Sequence, residues 1–157
     1  MKEKIHIRQA KLQDLDAIER IELENFSEEE AIAREILKDH IEKIQTTFLV
    51  AECQGQILGY LEGPVRPERY LIDSSFSEVE DLSQLEQGFI SITSLSIAKE
   101  AQGLGVGTLL LEAMKEIAVK DNRQGINLTC HDYLIPYYEK QGFTNEGRSE
   151  SQYAGEV

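Results

Sequence analysis

Apolar residues recur along this chain with two periods, and the changes between them predict the order of its elements. Alternation in residues 5–7, 48–52 and 57–61 predicts strands, the last two joined as an antiparallel hairpin over Gln54-Gly55. Spacing by three and four residues predicts helices, and a capping box from Ser27 to Glu30 opens the second of them. The apolar stripes of the three long helices are Leu12, Leu15, Ile18 and Ile21; Ala33, Ile36, Leu37, His40, Ile41 and Ile44; and Val106, Leu109, Leu110, Ala113, Met114, Ile117 and Ala118.

The strand at residues 89–97 changes phase in its middle. Ile90 and Ile92 occupy even positions, whereas Leu95 and Ile97 occupy odd positions. A strand moves its apolar side chains to the other face only where an extra residue is inserted, so the slip near Thr93 predicts a β-bulge. Such a bulge leaves main-chain N–H and C=O groups of this strand without partners.

The C-terminal part predicts a strand, a short helix and a last strand. The strand covers residues 126–130, and Pro136 and Gly142 are typical of the first turn and the C-terminal cap of the helix. The last strand is expected at residues 143–149. The whole order, βααβββαβαβ, predicts a single α/β domain over residues 1–157 with a mixed, mostly antiparallel sheet flanked by helices. A further strand, begun at residues 154–157, is expected to be short or missing, which would leave an open sheet edge and allow a homodimer.

A glycine-rich turn separates the bulged strand from the third helix. Gly103, Gly105 and Gly107 permit positive φ and close approach of a ligand, and the helix that follows offers free N–H groups to an anion. The third glycine comes one residue too early for a Rossmann fingerprint, and no Lys-Ser/Thr pair follows Gly107 as a P-loop requires. The turn therefore reads Gln-x-x-Gly-x-Gly from Gln102 onward, and a phosphate-bearing ligand is its expected occupant.

This pattern resembles the pyrophosphate-binding motif of the GNAT-type N-acetyltransferases, and the likeness extends over residues 89–147. The resemblance implies the GNAT (acyl-CoA N-acyltransferase) fold with its bulged central strand, and acetyl-CoA as cosubstrate. It implies that the pantetheine arm pairs with the main chain freed by the bulge and that the diphosphate lies on the glycine turn. The residues it assigns to the cofactor are Leu95, Ser96, Ile97, Gln102, Gly103, Leu104, Gly105, Val106, Gly107 and Thr108.

Residues 130–143, which contain Pro136-Tyr137-Tyr138 and Gly142-Phe143, resemble the equivalent segment of arylalkylamine (serotonin) N-acetyltransferases and their bacterial relatives. On that resemblance Tyr138 takes the place of the family's tyrosine general acid. A phenol with a pKa of about 10 can protonate a departing thiolate and is still neutral before the reaction begins. The alternative for Tyr138 is a half-buried packing residue.

The general base is not fixed by the resemblance. The animal enzymes carry two histidines on the bulged strand, and Ser91 and Thr93 stand at those positions here. Neither hydroxyl is a base near neutral pH, so the proton of the amine must leave through ordered water or another side chain. Glu62, at the end of the preceding strand, and His131, at the end of the following one, are the two candidates. Each is also explained without catalysis, Glu62 as a solvated residue and His131 as a residue that bonds a loop.

The chain is strongly acidic, with a net charge of −13 from 29 acidic and 16 basic residues. Residues 12–44 hold eleven acids and four bases, and residues 64–88 hold six and two. Both segments flank the expected acceptor entrance, so their field favours a cationic amine and disfavours nucleic acid. The connection over residues 64–88 is long enough for a lid, with a solvated surface loop as the alternative.

The remaining composition predicts little further chemistry. No signal peptide and no apolar run of about 20 residues are present, which predicts a cytoplasmic protein without a membrane contact. Cys53 and Cys130 are expected to be buried thiols, and their number and spacing predict no metal site. His40, on an apolar stripe, is interpreted as a half-buried packing residue and not as a ligand.

These features together predict an acetyl-CoA-dependent N-acetyltransferase. Its acceptor is expected to be a primary amine, small and cationic or arylalkyl, that attacks the thioester directly in a ternary complex. Two alternatives stay open: a catalytically weak or inactive acetyl-CoA-binding module, and an interaction protein whose glycine loop is only a turn.

Overall fold

A computed structural model describes residues 4–27, 29–69, 81–82 and 84–147 of the 157-residue chain. The helices are α1 (Leu15–Asn25), α2 (Arg34–Lys43), α3 (Val106–Lys120) and α4 (Ile135–Lys140). The strands are β1 (His6–Gln9), β2 (Phe48–Cys53), β3 (Gln56–Glu62), β4 (Val65–Arg66), β5 (Phe89–Ile92), β6 (Ser94–Ile97) and β7 (Gly125–Leu128). The predicted order is confirmed as far as α4, and the short strand β4 is an addition within the long connection.

The strands form two sheets that meet at the bulge. The first has the order β1-β2-β3-β6 and is antiparallel throughout; the second has the order β4-β5-β7, with β5 and β7 parallel. The expected mixed, mostly antiparallel α/β arrangement is therefore confirmed. The hairpin between β2 and β3 turns at Gln54 and Gly55, with φ of 52° and 80°, which is the positive-φ pair that a tight two-residue hairpin needs.

The bulge lies between β3 and β4 on one chain segment and between β5 and β6 on the segment paired with it. Glu62 pairs with Ser94 and Val65 pairs with Ile90. The two residues 63–64 therefore lie opposite the three residues 91–93. Thr93 is the inserted residue between β5 and β6, as the phase slip predicts. Beyond it β6 remains paired with β3 while β5 remains paired with β7, so the two sheets diverge.

Gly63 allows the two strands to cross closely at the bulge. A Cβ atom at this position would lie 2.3 Å from the carbonyl oxygen of Ser91 and 2.7 Å from the Cα of Ile92. Both are main-chain atoms, held by bonds from Ser91 N–H to Pro64 O and from Thr93 N–H to Glu62 O, each 2.9 Å long. The side chain of any other residue would force the sheets apart.

We therefore expect Gly63→Ala to lower the free energy of unfolding by about 3 kcal/mol, the upper part of the range for overpacked cores. The matched control is Gly125→Ala in β7, whose Cβ would meet the Phe89 ring at an ordinary 3.5 Å. That control should stay within about 1 kcal/mol of the parent. Urea unfolding of the three proteins measures both values, and equal stability of the two variants would contradict the close crossing.

The α1 and α3 helices both pack against β3 and β6. On α3 the buried residues are Val106, Leu110, Leu111, Met114 and Ala118. The predicted stripe is thus wrong at one position, since Leu109 is exposed while Leu111 is buried. Leu111 precedes the buried Met114 and Ala118 by three and seven residues, so it lies on the same side of the helix as these two.

The second helix begins later than its capping box predicts. Ser27 and Glu30 do bond each other, with Glu30 N–H 3.3 Å from Ser27 Oγ, but they close a single turn. The α2 helix begins at Arg34 because Ile32 N–H donates 2.9 Å to Glu22 Oε2 and Ala33 is extended. A tertiary hydrogen bond therefore replaces the helical bond that the local sequence favours.

The predicted last strand is wrong for the residues that can be checked. Residues 143–147 form no strand, since Asn145 Oδ1 accepts a 2.9 Å bond from Gly147 N–H and Gly147 has a φ of 107°. This local turn removes the extended backbone that a ladder needs. Residues 148–149 of that strand, and residues 70–80 of the proposed lid, lie outside the described residues.

Candidate functional site

A cavity of about 740 Å³ opens where the two sheets diverge. Its walls are the free edge of β6, the glycine turn, the segment after β7 that leads into α4, and the segment that follows α1. The volume lies within the range of small-molecule and cofactor sites. The cavity is thus formed by the bulge and bounded by the same turn that the sequence singles out.

The free edge of β6 carries main-chain groups directed toward the cavity. Ala98 N–H donates 2.8 Å to Leu58 O on the β3 side, so the amides of Leu95 and Ile97 lie on the opposite edge. Leu95, Ser96 and Ile97 all line the cavity. The carbonyl of Ile97 accepts a 2.8 Å bond from Asn25 Nδ2, which fixes the end of this edge to α1.

The glycine turn has the backbone that its composition predicts. Gly103 and Gly105 have φ of 86° and 79°, and Gly105 is the N-cap of α3 with no side-chain cap of its own. The first N–H groups of α3 therefore have no partner within the helix and face the cavity. Such a helix start is a site for an anion, here with Gln102, Gly103, Gly105, Val106, Gly107 and Thr108 along the cavity wall.

Gly107 serves a different purpose from the other two glycines. It lies inside α3 with ordinary helical backbone, and a Cβ there would lie 2.6 Å from the Tyr137 hydroxyl. The small residue lets α4 approach α3. Leu104 also differs from the sequence expectation, because its side chain is 46% exposed and lies outside the cavity lining.

Two hydrogen bonds tie α4 to α3 and hold Tyr138 at the cavity. Gln141 Nε2 donates 3.0 Å to Thr108 Oγ1, and Lys115 Nζ donates to Gln141 O. Tyr138 lines the cavity and packs edge-on against Tyr137 and Phe143, with ring centroids 5.1 and 5.7 Å away. Burial, followed by the neighbouring Tyr137, raises the pKa of Tyr138. The phenol is therefore a neutral proton donor throughout the physiological range.

The cavity wall also contains a buried polar cluster around Glu22. This residue of α1 is 2% exposed, and its carboxylate accepts hydrogen bonds from Tyr60 Oη and from Ile32 N–H. Ser94 Oγ lies 3.1 Å from Tyr60 Oη and 3.4 Å from Glu22 Oε1. Burial, the largest cause, raises the pKa of Glu22, and the nearby Glu62 raises it further.

A second buried group lies behind the cavity wall. Glu62 and His40 are both fully buried, and Glu62 Oε1 is in hydrogen-bond contact with His40 Nδ1. Thr93 Oγ1, on the cavity wall, donates 3.2 Å to the same carboxylate oxygen. Glu62 is therefore not solvated, and His40 is fully buried and hydrogen-bonded rather than half-buried as its stripe position suggests.

The structure brings most of the predicted site together. Tyr138, His131 and every predicted cofactor residue except Leu104 line the cavity, while Glu62 reaches it through Thr93. His131 lies beside Tyr133, with the two rings stacked at 5.9 Å.

Glu22, Tyr60 and Ser94 were missed by the sequence interpretation. A signal did exist, because Glu22 falls four residues after Ile18 on the apolar stripe of α1.

Two further findings concern what the described ranges lack. None of the helices there has the length and hydropathy of a bilayer-spanning segment. Across the same ranges, no group of three or more His, Cys, Asp or Glu side chains is arranged to hold a metal ion.

Comparison with known proteins gives consistent results. The family profile described as Acetyltransferase (GNAT) family matches residues 13–143. The N-alpha-acetyltransferase of Sulfurisphaera tokodaii is 29% identical over 142 residues, which cover 87% of this chain and 78% of that protein. Ard1 from Thermoplasma volcanium superposes with a TM-score of 0.69 at 19% identity, over 89% of this chain and 82% of that one. Naa50 of Arabidopsis thaliana, solved with the bisubstrate analogue CoA-Ac-MVNAL, gives 0.70 at 15% identity, over 93% and 87%.

Proposed function

The chain belongs to the GNAT family and is an acetyl-CoA-dependent N-acetyltransferase, and from that premise we propose that its acceptor is a primary amine that attacks the thioester directly. The acceptor would be small and cationic, or arylalkyl, and would react in a ternary complex. One observation supports this best. The glycine turn, the β6 edge, Tyr138 and the Glu22 carboxylate all line one cavity.

The proposed cofactor position follows from the main-chain groups on the cavity wall. The diphosphate would lie on the N–H groups at the start of α3, and the pantetheine arm would pair with the free edge of β6 at Leu95 and Ile97. Attack on the thioester creates an oxyanion, which a β6 amide stabilises when aimed at that oxygen. Acetyl-CoA supplies the activated acetyl group, and the chain's own residues position it.

Tyr138 is proposed as the general acid. The departing thiolate of coenzyme A is the conjugate base of a thiol with a pKa of about 8.5, if it behaves like cysteine. The phenol of Tyr138 keeps its proton at neutral pH and can donate it to the sulfur as the carbon–sulfur bond breaks. Because the pKa of Tyr138 is raised above that of the thiol, this transfer is uphill, and reprotonation of the phenolate by solvent completes it. Tyr138, on α4, lines the same cavity as the β6 edge, along which the thioester would lie. The resemblance of residues 130–143 to arylalkylamine N-acetyltransferases supports the same role.

Acidic side chains in the cavity lining support a cationic amine as acceptor. These side chains are Glu22, Glu29 and Glu30. Their field raises the local concentration of ammonium ions. A peptide α-amino group is the second candidate acceptor, favoured by the relative named N-alpha-acetyltransferase, which matches 87% of this chain. Glu62 and His131 stay candidates for the base, with Thr93 between Glu62 and the cavity.

The proposed function is tested by release of free coenzyme A thiol from acetyl-CoA in the presence of single acceptors. The panel holds phenethylamine, spermidine, a short peptide with a free α-amino group, and the same peptide acetylated at that position. Thiol release with phenethylamine or spermidine supports the proposal, and release with the free peptide alone supports the second candidate. Tight acetyl-CoA binding by calorimetry without release in any assay would instead identify a cofactor-binding module.

A further inference from the structure

Glu22 is a buried carboxylate with no assigned task in the reaction. Most glutamates lie on the surface, and a fully buried one needs compensation for the water it loses. In the described part of the chain the hydrogen-bond donors to Glu22 are the neutral groups of Tyr60, Ile32 and Ser94, and no cation is among them. The carboxylate thus lies in the cavity wall, oriented by neutral donors and without a positive partner.

The hydrogen bonds around Glu22 leave room for one more donor. A carboxylate has about four acceptor positions, and Tyr60, Ile32 and Ser94 together fill at most three. Glu22 Oε2 receives only the Ile32 N–H among the described groups. The remaining acceptor position belongs to a residue that lines the cavity. An N–H group of a bound acceptor can therefore complete the set.

We propose that Glu22 is the residue that holds the ammonium group of the acceptor and then takes its proton. This rests on the proposed function and adds a catalytic residue to it. The N–H bond of the ammonium breaks and a Glu22 O–H bond forms, which leaves a neutral amine with a free electron pair. That pair forms the bond to the thioester carbon, the carbon–sulfur bond breaks, and Tyr138 protonates the sulfur. Glu22 and Tyr138 are then reset by exchange of one proton each with solvent, and the new amide releases its excess proton.

The groups that face Glu22 support a base at this position. Tyr60 and Glu62 approach from β3, His40 of α2 contacts Glu62, and Glu29 and Glu30 come from the segment after α1. Burial is the largest cause of the raised pKa of Glu22, the hydrogen bonds from Tyr60 and Ile32 offset part of it, and the nearby Glu62 raises it further, so its conjugate acid is weaker than that of a surface glutamate. A weaker conjugate acid means a stronger base toward an ammonium ion.

The test compares two acceptors of nearly equal shape, phenethylamine and β,β-difluorophenethylamine, at about pH 8. The fluorine atoms lower the amine pKa, so the second acceptor arrives largely neutral and does not need a base to lose its first proton. We expect Glu22→Gln to lower kcat/KM for phenethylamine about 100-fold or more, and that for the difluoro analogue less than about 10-fold. The matched control is Glu35→Gln on exposed α2 surface, which removes the same charge outside the cavity and should affect neither acceptor.

A pH profile adds a readout that a merely structural role would not change. Because the pKa of Glu22 is raised, the parent enzyme should lose kcat on the acidic side at a pH above that of an ordinary glutamate, and Glu22→Gln should lack this limb. Calorimetry with acetyl-CoA checks that the variant is folded and binds the cofactor.

Equal losses for both acceptors, or no loss, would overturn the role of Glu22. A selective loss in Glu62→Gln or His131→Gln, with Glu22→Gln active, would overturn it in favour of that residue. If the parent enzyme acetylates neither amine, the proposed acceptor class is wrong, and the role proposed for Glu22 is wrong with it.

Discussion

Gly105→Val is expected to lower the affinity for acetyl-CoA about 100-fold or more, equivalent to ~2.7 kcal/mol. Gly105 has a φ of 79°, which a β-branched residue adopts only at a cost of about 1–2 kcal/mol or more. Nothing lies within 4 Å of the added Cβ position. The valine side chain would therefore project from the cavity wall into the space proposed for the diphosphate.

A matched control separates backbone strain from loss of the cofactor site. Gly55, in the hairpin turn, has a φ of 80° and equally open space around its Cβ position, but it lies outside the cavity lining. Gly55→Val should lose about the same free energy of unfolding as Gly105→Val and keep its affinity for acetyl-CoA. Urea unfolding and calorimetric titration measure the two quantities. If both variants bind acetyl-CoA equally well, the glycine turn is not the diphosphate site.

Tyr138→Phe is the second large effect, an expected fall in kcat of about 100-fold or more with little change in the Kd for acetyl-CoA. In the described residues the Tyr138 hydroxyl has no hydrogen-bond partner, and the ring contacts to Tyr137 and Phe143 survive the substitution. The loss therefore belongs to the protonation of the leaving group. Since the pKa of Tyr138 is raised, the parent kcat should show no basic limb from this residue below about pH 10.

The leaving group itself provides the control for Tyr138. An S-acetyl arylthiol departs as a stable thiolate and needs no proton, so Tyr138→Phe and the parent should react with it at similar rates. A packing role for Tyr138 would instead lower both reactions together. Steady-state kinetics with acetyl-CoA and with the aryl thioester, at saturating amine, distinguish these results.

Predictions from the sequence were reliable wherever a feature depends on a few consecutive residues. The hairpin over Gln54 and the turn at Gly105 follow from the φ values these positions must adopt. The bulge at Thr93 follows from a change of apolar phase within one strand. The errors also have local causes. A tertiary bond from Ile32 to Glu22 overrides the Ser27 capping box, and an Asn145 turn ends the predicted last strand.

By itself, then, the sequence determined the order of the predicted elements as far as α4, the bulge and the glycine turn, because each is encoded by main-chain geometry over a short segment. Only the tertiary structure decided that the Glu22 carboxylate lies in the cavity wall. Glu22, Tyr60 and Ser94 belong to α1, β3 and β6, and packing of that helix on those strands brings their polar groups into contact. The periodicity of apolar residues predicts only whether such residues are buried or exposed. The hydrogen bonds that orient a buried charge form between distant parts of the chain.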